Sequence, residues 1–332
     1  MKRTSIMVAM GLLALLGSEL YAADPTPTPM ESAVQPPVIA VNDSLTAEVQ
    51  TVPVGDYDAR EWGVVVKQNG TYELDGSNPY SGNKSHLHFT HGHREPVIYF
   101  TSRDKKPFSL KVTIPHGRIT AYYPSLTDTS GNSVQWQDVN FFPPQGAAPI
   151  FTPNCPSLEK YFSILNNVSS DEFYADSVPS KFLFYESAID FKEPVIALVN
   201  LAALTAKLSN QSDYPVRDLM VTFGRNLRGF RVAKLNLLAA HQERIVHFTY
   251  ETLAPFPDLT AIGFKRDEAT AFDNVWNGNC NCHYNLTYRL SPQACDDLSR
   301  LDFTPRPKGL IRAFYVFADT EPAEIGRQSM PK

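Results

Sequence analysis

Short runs of β-branched and aromatic residues dominate the chain from residue 56 to residue 123. Such runs, separated by Gly, Pro, Asn and Asp, are typical of β-strands. They occupy residues 61–67, 96–102, 108–114 and 118–123. We expect a sheet joined by hairpins, in which Gly117 supplies the positive φ of a tight turn.

Apolar and polar residues alternate in the second half of the chain. The alternating apolar positions are Leu219, Val221 and Phe223, followed by Val246, Phe248 and Tyr250. A period of two indicates strands that bury one face, as an antiparallel sandwich requires. We therefore interpret residues 195–250 as sandwich-like and residues 310–317 as a closing strand.

Helical periodicity is sparse and confined to two segments. In residues 267–276, apolar residues lie three and four positions apart behind an acidic start, which predicts an amphipathic helix. Gly278 predicts its end, and residues 157–166 predict another helix. The expected fold class is therefore mainly β, with antiparallel β-sandwich-like sheets and a few peripheral α-helices.

The N-terminal residues predict export. Lys2 and Arg3 precede a charge-free apolar run at residues 6–16, which suits the core of a signal peptide and is too short to span a bilayer. We expect residues 1–22 to be removed and the protein to be periplasmic or secreted. The later apolar stretch at residues 194–206 also falls short of the roughly 20 residues of a transmembrane helix, so no transmembrane segment is expected after cleavage.

The remaining chain divides by composition into three parts. Residues 23–55 are rich in proline, which denies the backbone its hydrogen-bond donors and predicts an extended linker. We expect an N-terminal β-rich region at residues 56–190. Residues 191–332 then form the sandwich-like region with the late helix and the closing strand.

Charge and motifs narrow the function classes. The formal net charge of −5, with scattered Lys and Arg, argues against nucleic acid as a partner. The sequence contains neither G-x-S-x-G nor a phosphate-binding glycine loop, so nothing supports serine-hydrolase chemistry or a nucleotide cofactor. The plentiful aromatic residues leave an unknown protein or carbohydrate ligand open.

Half of the eight histidines lie within residues 85–94. They are His86, His88, His91 and His93. In an extended segment His86 and His88 point to the same side, and a bend at Gly92 would bring a third imidazole to a zinc, copper or nickel ion. The alternative is a polar surface loop whose histidines do not act together.

The four cysteines favour disulfides because the chain is expected to be exported. They are Cys155, Cys280, Cys282 and Cys295. Cys280 and Cys282 are too close for an easy mutual bridge, so we expect one to join Cys295 and the other Cys155, although the connectivity is not readable. The alternative is a soft-metal site at residues 280–283, which end in His283.

Isolated acids give weaker candidates. Glu61 beside Trp62 is a candidate proton donor if it is buried, although a Trp-Gly pair at a strand start is more often a packing corner. Asp267, Glu268 and Asp273 are most simply a helix N-terminus and its solvated face. No set of residues identifies a catalytic centre.

Several segments together resemble a known group of proteins. They are Glu61-Trp62-Gly63, residues 95–100 (EPVIYF), residues 117–124 and residues 181–185. Their order resembles uncharacterised exported bacterial proteins with a His-Glu-Trp-Gly segment and a Pro-Val-Ile-Tyr-Phe-Tyr strand. Arg60 replaces the usual His here and Thr101 the final Tyr. The resemblance implies export but no activity.

Three functional hypotheses remain. The first is a non-catalytic exported binding or structural module. The second is a metal-dependent hydrolase that uses the cluster His86, His88, His91 and His93. The third is a surface or assembly protein with the proline-rich segment as a stalk.

Overall fold

The computed structural model describes residues 53–67, 91–124, 129–142, 156–175, 177–226, 229–252, 256–283 and 285–322. The predicted signal peptide and nearly all of the predicted linker lie outside these residues, so both stay predictions. Near the start of the described chain, Gly55 N donates to Arg306 O at 2.8 Å. This hydrogen bond holds the first described residues against a loop late in the sequence.

The described residues form nineteen strands, three α-helices and one 3-10 helix. The strands are β1 Tyr57–Lys67, β2 His91–Ser102, β3 Phe108–Thr113, β4 Gly117–Tyr123, β5 Thr129–Ser130, β6 Ser133–Phe141, β7 Phe173–Ala175, β8 Val178–Ser180, β9 Phe182–Ile189, β10 Val195–Asn200, β11 Thr205–Asn210, β12 Val216–Asn226, β13 Gly229–Leu238, β14 Glu243–His247, β15 Thr249–Glu251, β16 Leu286–Arg289, β17 Arg300–Thr304, β18 Gly309–Ala318 and β19 Glu321–Pro322. The helices are α1 Pro156–Leu165, α2 Arg266–His283 and α3 Pro292–Leu298, with the 3-10 helix at Leu259–Ile262.

Three sheets make up the fold. The largest has nine strands in the order β15-β13-β12-β16-β18-β1-β2-β9-β4. The two smaller sheets have the orders β14-β11-β10-β19 and β17-β3-β6-β7-β8. Neighbouring strands are antiparallel except for β1 with β18 and β10 with β19. The predicted mainly β, antiparallel, sandwich-like class is confirmed.

The central strands of the nine-stranded sheet are buried on both faces. In β2, Ile98 and Phe100 join the core that contains residues of the smaller sheets. Val97 and Tyr99 join a second core with residues of α1 and α2. Because successive side chains of a strand point to opposite faces, α1 and α2 cover one face, and the smaller sheets together with α3 cover the other.

The nine-stranded sheet draws on both regions predicted from composition. Strands β1, β2, β4 and β9 precede residue 190, and the other five strands follow it. The residues that the structure describes all belong to one compact unit. Near residue 190 the chain therefore passes from the nine-stranded sheet to the four-stranded sheet.

The predicted hairpin between β3 and β4 is wrong, because the two strands belong to different sheets. Gly117 does not have the predicted positive φ, and a different constraint requires glycine here. A Cβ at this position would lie 2.3 Å from the Ala188 carbonyl oxygen. Only glycine allows β4 to begin this close to β9.

Helix α2 extends beyond its predicted end. Gly278 lies inside the helix, which continues to His283. A glycine costs only about 1 kcal/mol in a helix interior, so it does not end a helix whose preceding turn is anchored by buried Val275 and Trp276. None of the described helices is long and apolar enough to span a membrane.

Candidate functional site

A groove of about 730 Å³, including its open mouth, lies beside α3. Five separate parts of the chain line it: the β3–β4 turn, the β9–β10 connection, the β11–β12 connection, the end of β16 and α3. The lining residues are His116, Ile189, Asp190, Phe191, Lys192, Pro194, Ser212, Tyr214, Pro215, Val216, Leu290, Ala294, Asp297 and Leu298. About 210 Å³ of this space is accessible to ligand atoms, which is below the roughly 300–1,000 Å³ of drug-sized ligand sites and suits a small ligand or part of a larger one.

The floor of the groove belongs to the protein core. Ile189, Val216, Leu290 and Leu298 are buried members of the core between the large and small sheets. Phe191 packs against the same core while remaining partly exposed. A ligand seated here would therefore contact side chains that are already held in place by packing.

The rim of the groove carries charges of both signs. Asp190, Lys192, His116 and Asp297 are exposed. The Tyr214 hydroxyl donates to Asp297 Oδ2 at 2.7 Å, and this hydrogen bond raises the pKa of Tyr214. Asp190 N donates to His116 O at 2.9 Å, which holds the β9–β10 connection against the β3–β4 turn.

A buried polar network joins the end of α3 to strands of the large sheet. Glu61 is completely buried, and its Oε2 accepts from Arg312 Nε at 2.5 Å. Its Oε1 accepts from the Tyr185 hydroxyl at 2.8 Å. Ser299 Oγ lies 2.9 Å from the Tyr185 hydroxyl oxygen and accepts from the Arg312 guanidinium at 2.7 Å.

The hydroxyl groups of Tyr185 and Ser299 each have one proton to donate, and this fixes the directions of the hydrogen bonds in the network. Tyr185 must donate to the proton-free carboxylate of Glu61, so Ser299 donates to Tyr185. The bonds then form a closed ring from Arg312 through Ser299, Tyr185 and Glu61 back to Arg312. Burial alone would lower the pKa of Arg312, but the carboxylate of Glu61 outweighs it and raises the pKa.

The network fixes α3 to the large sheet. Arg312 on β18 also donates to Asp296 Oδ1 at 2.6 Å, and Ser299 follows the last residue of α3. Since Ala294, Asp297 and Leu298 of the same helix line the groove, the network supports one of its walls. The Glu61 carboxylate, the candidate proton donor, is thus paired with Arg312 and Tyr185 and does not line the groove.

A second buried ion pair joins β1 to the start of α2. Arg60 Nε lies 2.7 Å from Glu268 Oε1, and the Glu268 side chain is completely buried. Glu268 Oε2 also accepts from Lys265 N at 2.7 Å. Glu268 thus lies at the helix N-terminus as predicted, but it is buried rather than solvated, because Arg60 makes its burial possible.

Asp267 has the helix-terminal role that the sequence predicted. Its Oδ1 accepts from Glu268 N at 2.9 Å, and its Oδ2 accepts from Ser169 N at 2.6 Å. Partial burial opposes the effect, but hydrogen bonding from Ser169 lowers the pKa of Asp267. Asp273 is only partly buried.

The structure describes part of the histidine cluster. His86 and His88 lie outside the described residues, and of His91 and His93 only the backbone is described. Both are in β2, where Gly92 is paired with Val66 on one side and Ala188 on the other. The bend expected at Gly92 is therefore absent from this strand, and metal binding by the four histidines stays a prediction.

The cysteines are also described in part. Cys295 of α3 is a buried free thiol, where the sequence favoured a disulfide. Burial raises its pKa to about 12, although Arg312 partly opposes the shift, so this thiol is unreactive at neutral pH. Cys155 lies outside the described residues, and Cys280 and Cys282 are described only as backbone in α2. Their oxidation state stays a prediction.

No three His, Cys, Asp or Glu side chains among the described residues are grouped so as to hold a metal ion. No protein-family model and no curated protein matches this sequence.

Sequence reasoning missed the groove as a site. Its lining comes from five segments that are far apart in the chain, and none of them carries a recognisable motif. One signal was available: Pro194 and Pro215 each lie just before a strand, at connections rich in polar and aromatic residues. Such connections often carry binding residues.

Proposed function

We propose that this protein is an exported, non-catalytic binding module whose ligand site is the groove beside α3. The observation that carries the proposal is the groove itself, an apolar floor of buried core residues with a few polar groups at its rim. This combination is typical of sites for small molecules. Export rests on the charged start and apolar run at the N-terminus.

The buried polar groups support binding rather than catalysis. Glu61, Tyr185, Arg312 and Ser299 satisfy one another inside the fold, and none of the four lines the groove. In this arrangement they stabilise the wall of the site. Their contribution to function is to keep the groove in shape.

Filling the groove is expected to abolish binding of an apolar probe. We expect N-phenyl-1-naphthylamine, a neutral dye that fluoresces in apolar surroundings, to bind the wild-type protein saturably at one site. Ala294→Trp places an indole in the groove and should weaken this binding by about tenfold or more, since overpacking costs about 1–3 kcal/mol. Phe191→Ala, which removes an aromatic wall, should weaken it less.

The control is Ala202→Trp in the exposed β10–β11 turn, about 20 Å from Pro194 by the length of β10. This variant should bind the dye like the wild type. Thermal unfolding of each variant confirms that it is folded. Wild-type dye affinity in a folded Ala294→Trp variant would rule out the groove as the site.

A further inference from the structure

We infer that the ligand of the groove beside α3 is a small zwitterion, an α-amino acid with an apolar side chain. The inference rests on the proposed function and names its ligand class. It follows from three features of the groove: charges of both signs at the rim, an apolar floor, and the small space between them.

The rim charges favour a ligand that itself carries both signs. The exposed carboxylates of Asp190 and Asp297 line the groove together with the exposed side chains of Lys192 and His116. A ligand with a single charge would meet a like charge at this rim as well as an opposite one, which costs binding free energy. A ligand with one ammonium and one carboxylate can place each group beside its opposite.

Asp297 and Tyr214 form the place for the ammonium group. Asp297 Oδ2 accepts from the Tyr214 hydroxyl at 2.7 Å, so the two groups are held side by side on the wall of the groove. Asp297 Oδ1 makes no hydrogen bond or ion pair with any residue that the structure describes. An ammonium group has three donors, and both the carboxylate and the hydroxyl oxygen accept from it.

Lys192 forms the place for the carboxylate. Its side chain makes no ion pair or hydrogen bond with any described residue. The hydrogen bond from Asp190 N to His116 O, at 2.9 Å, holds the β3–β4 turn against the connection that carries Lys192. The ammonium group of Lys192 therefore has an imidazole on the same side of the groove, and both can donate to a carboxylate.

The floor and the size of the groove determine the rest of the ligand. Ile189, Val216 and Leu290 are buried core side chains that offer no charge, so they favour a hydrocarbon or aromatic body. The space of about 210 Å³ that ligand atoms can reach is smaller than a drug-sized site. The apolar side chain of a single amino acid suits this space better than a long chain does.

The test compares three compounds that share a phenyl group and differ in charge. L-phenylalanine is a zwitterion, 3-phenylpropanoate lacks the ammonium group, and 2-phenylethylamine lacks the carboxylate. Isothermal titration calorimetry of the wild-type protein should show L-phenylalanine at one site per chain. Each singly charged compound should bind about 2- to 5-fold more weakly, as expected for loss of one exposed ion pair.

Two charge variants assign the ends of the ligand. Lys192→Gln should weaken L-phenylalanine by about 2- to 5-fold without weakening 2-phenylethylamine, because this amine has no carboxylate to lose a partner. Asp297→Asn should weaken L-phenylalanine without weakening 3-phenylpropanoate, and its amide oxygen can still accept from Tyr214. The control is Lys308→Gln, whose exposed side chain does not line the groove and which should bind all three compounds like the wild type.

Three results would overturn the inference: no binding of L-phenylalanine, equal or tighter binding of either singly charged compound, or unchanged L-phenylalanine affinity in both charge variants. If N-phenyl-1-naphthylamine still binds the wild type and not Ala294→Trp, the binding function then stands and only the zwitterion is wrong. If Ala294→Trp leaves both the dye and L-phenylalanine bound, the groove itself is wrong.

Discussion

Replacing Arg312 with Met is expected to lower the free energy of unfolding by about 3–5 kcal/mol, because it leaves a buried carboxylate without its cation. Glu61 is completely buried and the Arg312 side chain is 4% exposed, so water cannot replace the lost partner. Chemical denaturation of the two proteins measures the difference. Loss of less than about 1 kcal/mol would show that the pair is not buried as described.

Two further variants make this test specific. Arg300→Met removes one partner of the pair Arg300–Asp302, whose side chains are 64% and 49% exposed, and should change stability by less than about 1 kcal/mol. Glu61→Gln combined with Arg312→Met should be more stable than Arg312→Met alone, since no unpaired charge then stays buried. A double variant as unstable as the single one would indicate that lost packing, rather than charge, dominates.

Replacing Glu268 with Ala is expected to cost about 3–5 kcal/mol, because Arg60 loses its buried partner. The same change removes the acceptor of the Lys265 N–H at the start of α2. Glu268→Gln should cost less, because its amide oxygen still accepts a hydrogen bond from Arg60 or Lys265. Urea unfolding followed by circular dichroism gives the values.

The matched control for Glu268 is Asp273 on the same helix. It makes no ion pair or hydrogen bond with any described residue. Asp273→Ala should therefore change stability by no more than about 0.5 kcal/mol. Similar effects of the two substitutions would mean that Glu268 is solvated after all.

The strands that bury side chains on one or both faces could be predicted from the sequence. The structure has strands β1, β3 and β4 at the predicted residues 61–67, 108–114 and 118–123. Dense runs of β-branched and aromatic residues favour strands because these side chains pack well on a sheet. Their partners could not be predicted. The turn at residues 115–117 reads as a hairpin, although it carries the chain from one sheet to another.

The alternating segment at residues 246–250 shows a similar limit. Val246 lies in β14 of the four-stranded sheet and Tyr250 lies in β15 at the edge of the nine-stranded sheet. Phe248 marks the crossing between the two sheets. Alternation predicted one buried face for all three residues, but Tyr250 is 55% exposed because it lies in a strand at the edge of its sheet.

Even less of the candidate site than of the fold could be predicted from the sequence. Glu61 and Arg312 are 251 residues apart, and nothing near either one identifies the other. The burial of Glu268 at the helix N-terminus was missed for the same reason, because Arg60 is far from it in the sequence. The groove is defined by the meeting of sheets with α3, so it exists only in the folded chain.

The most direct test of the binding proposal is a crystal structure of the wild-type protein with N-phenyl-1-naphthylamine. We predict electron density for the dye between Phe191 and Ala294, in contact with Ile189 and Leu290. Well-ordered dye elsewhere on the protein, with the groove empty of dye, would contradict the proposal.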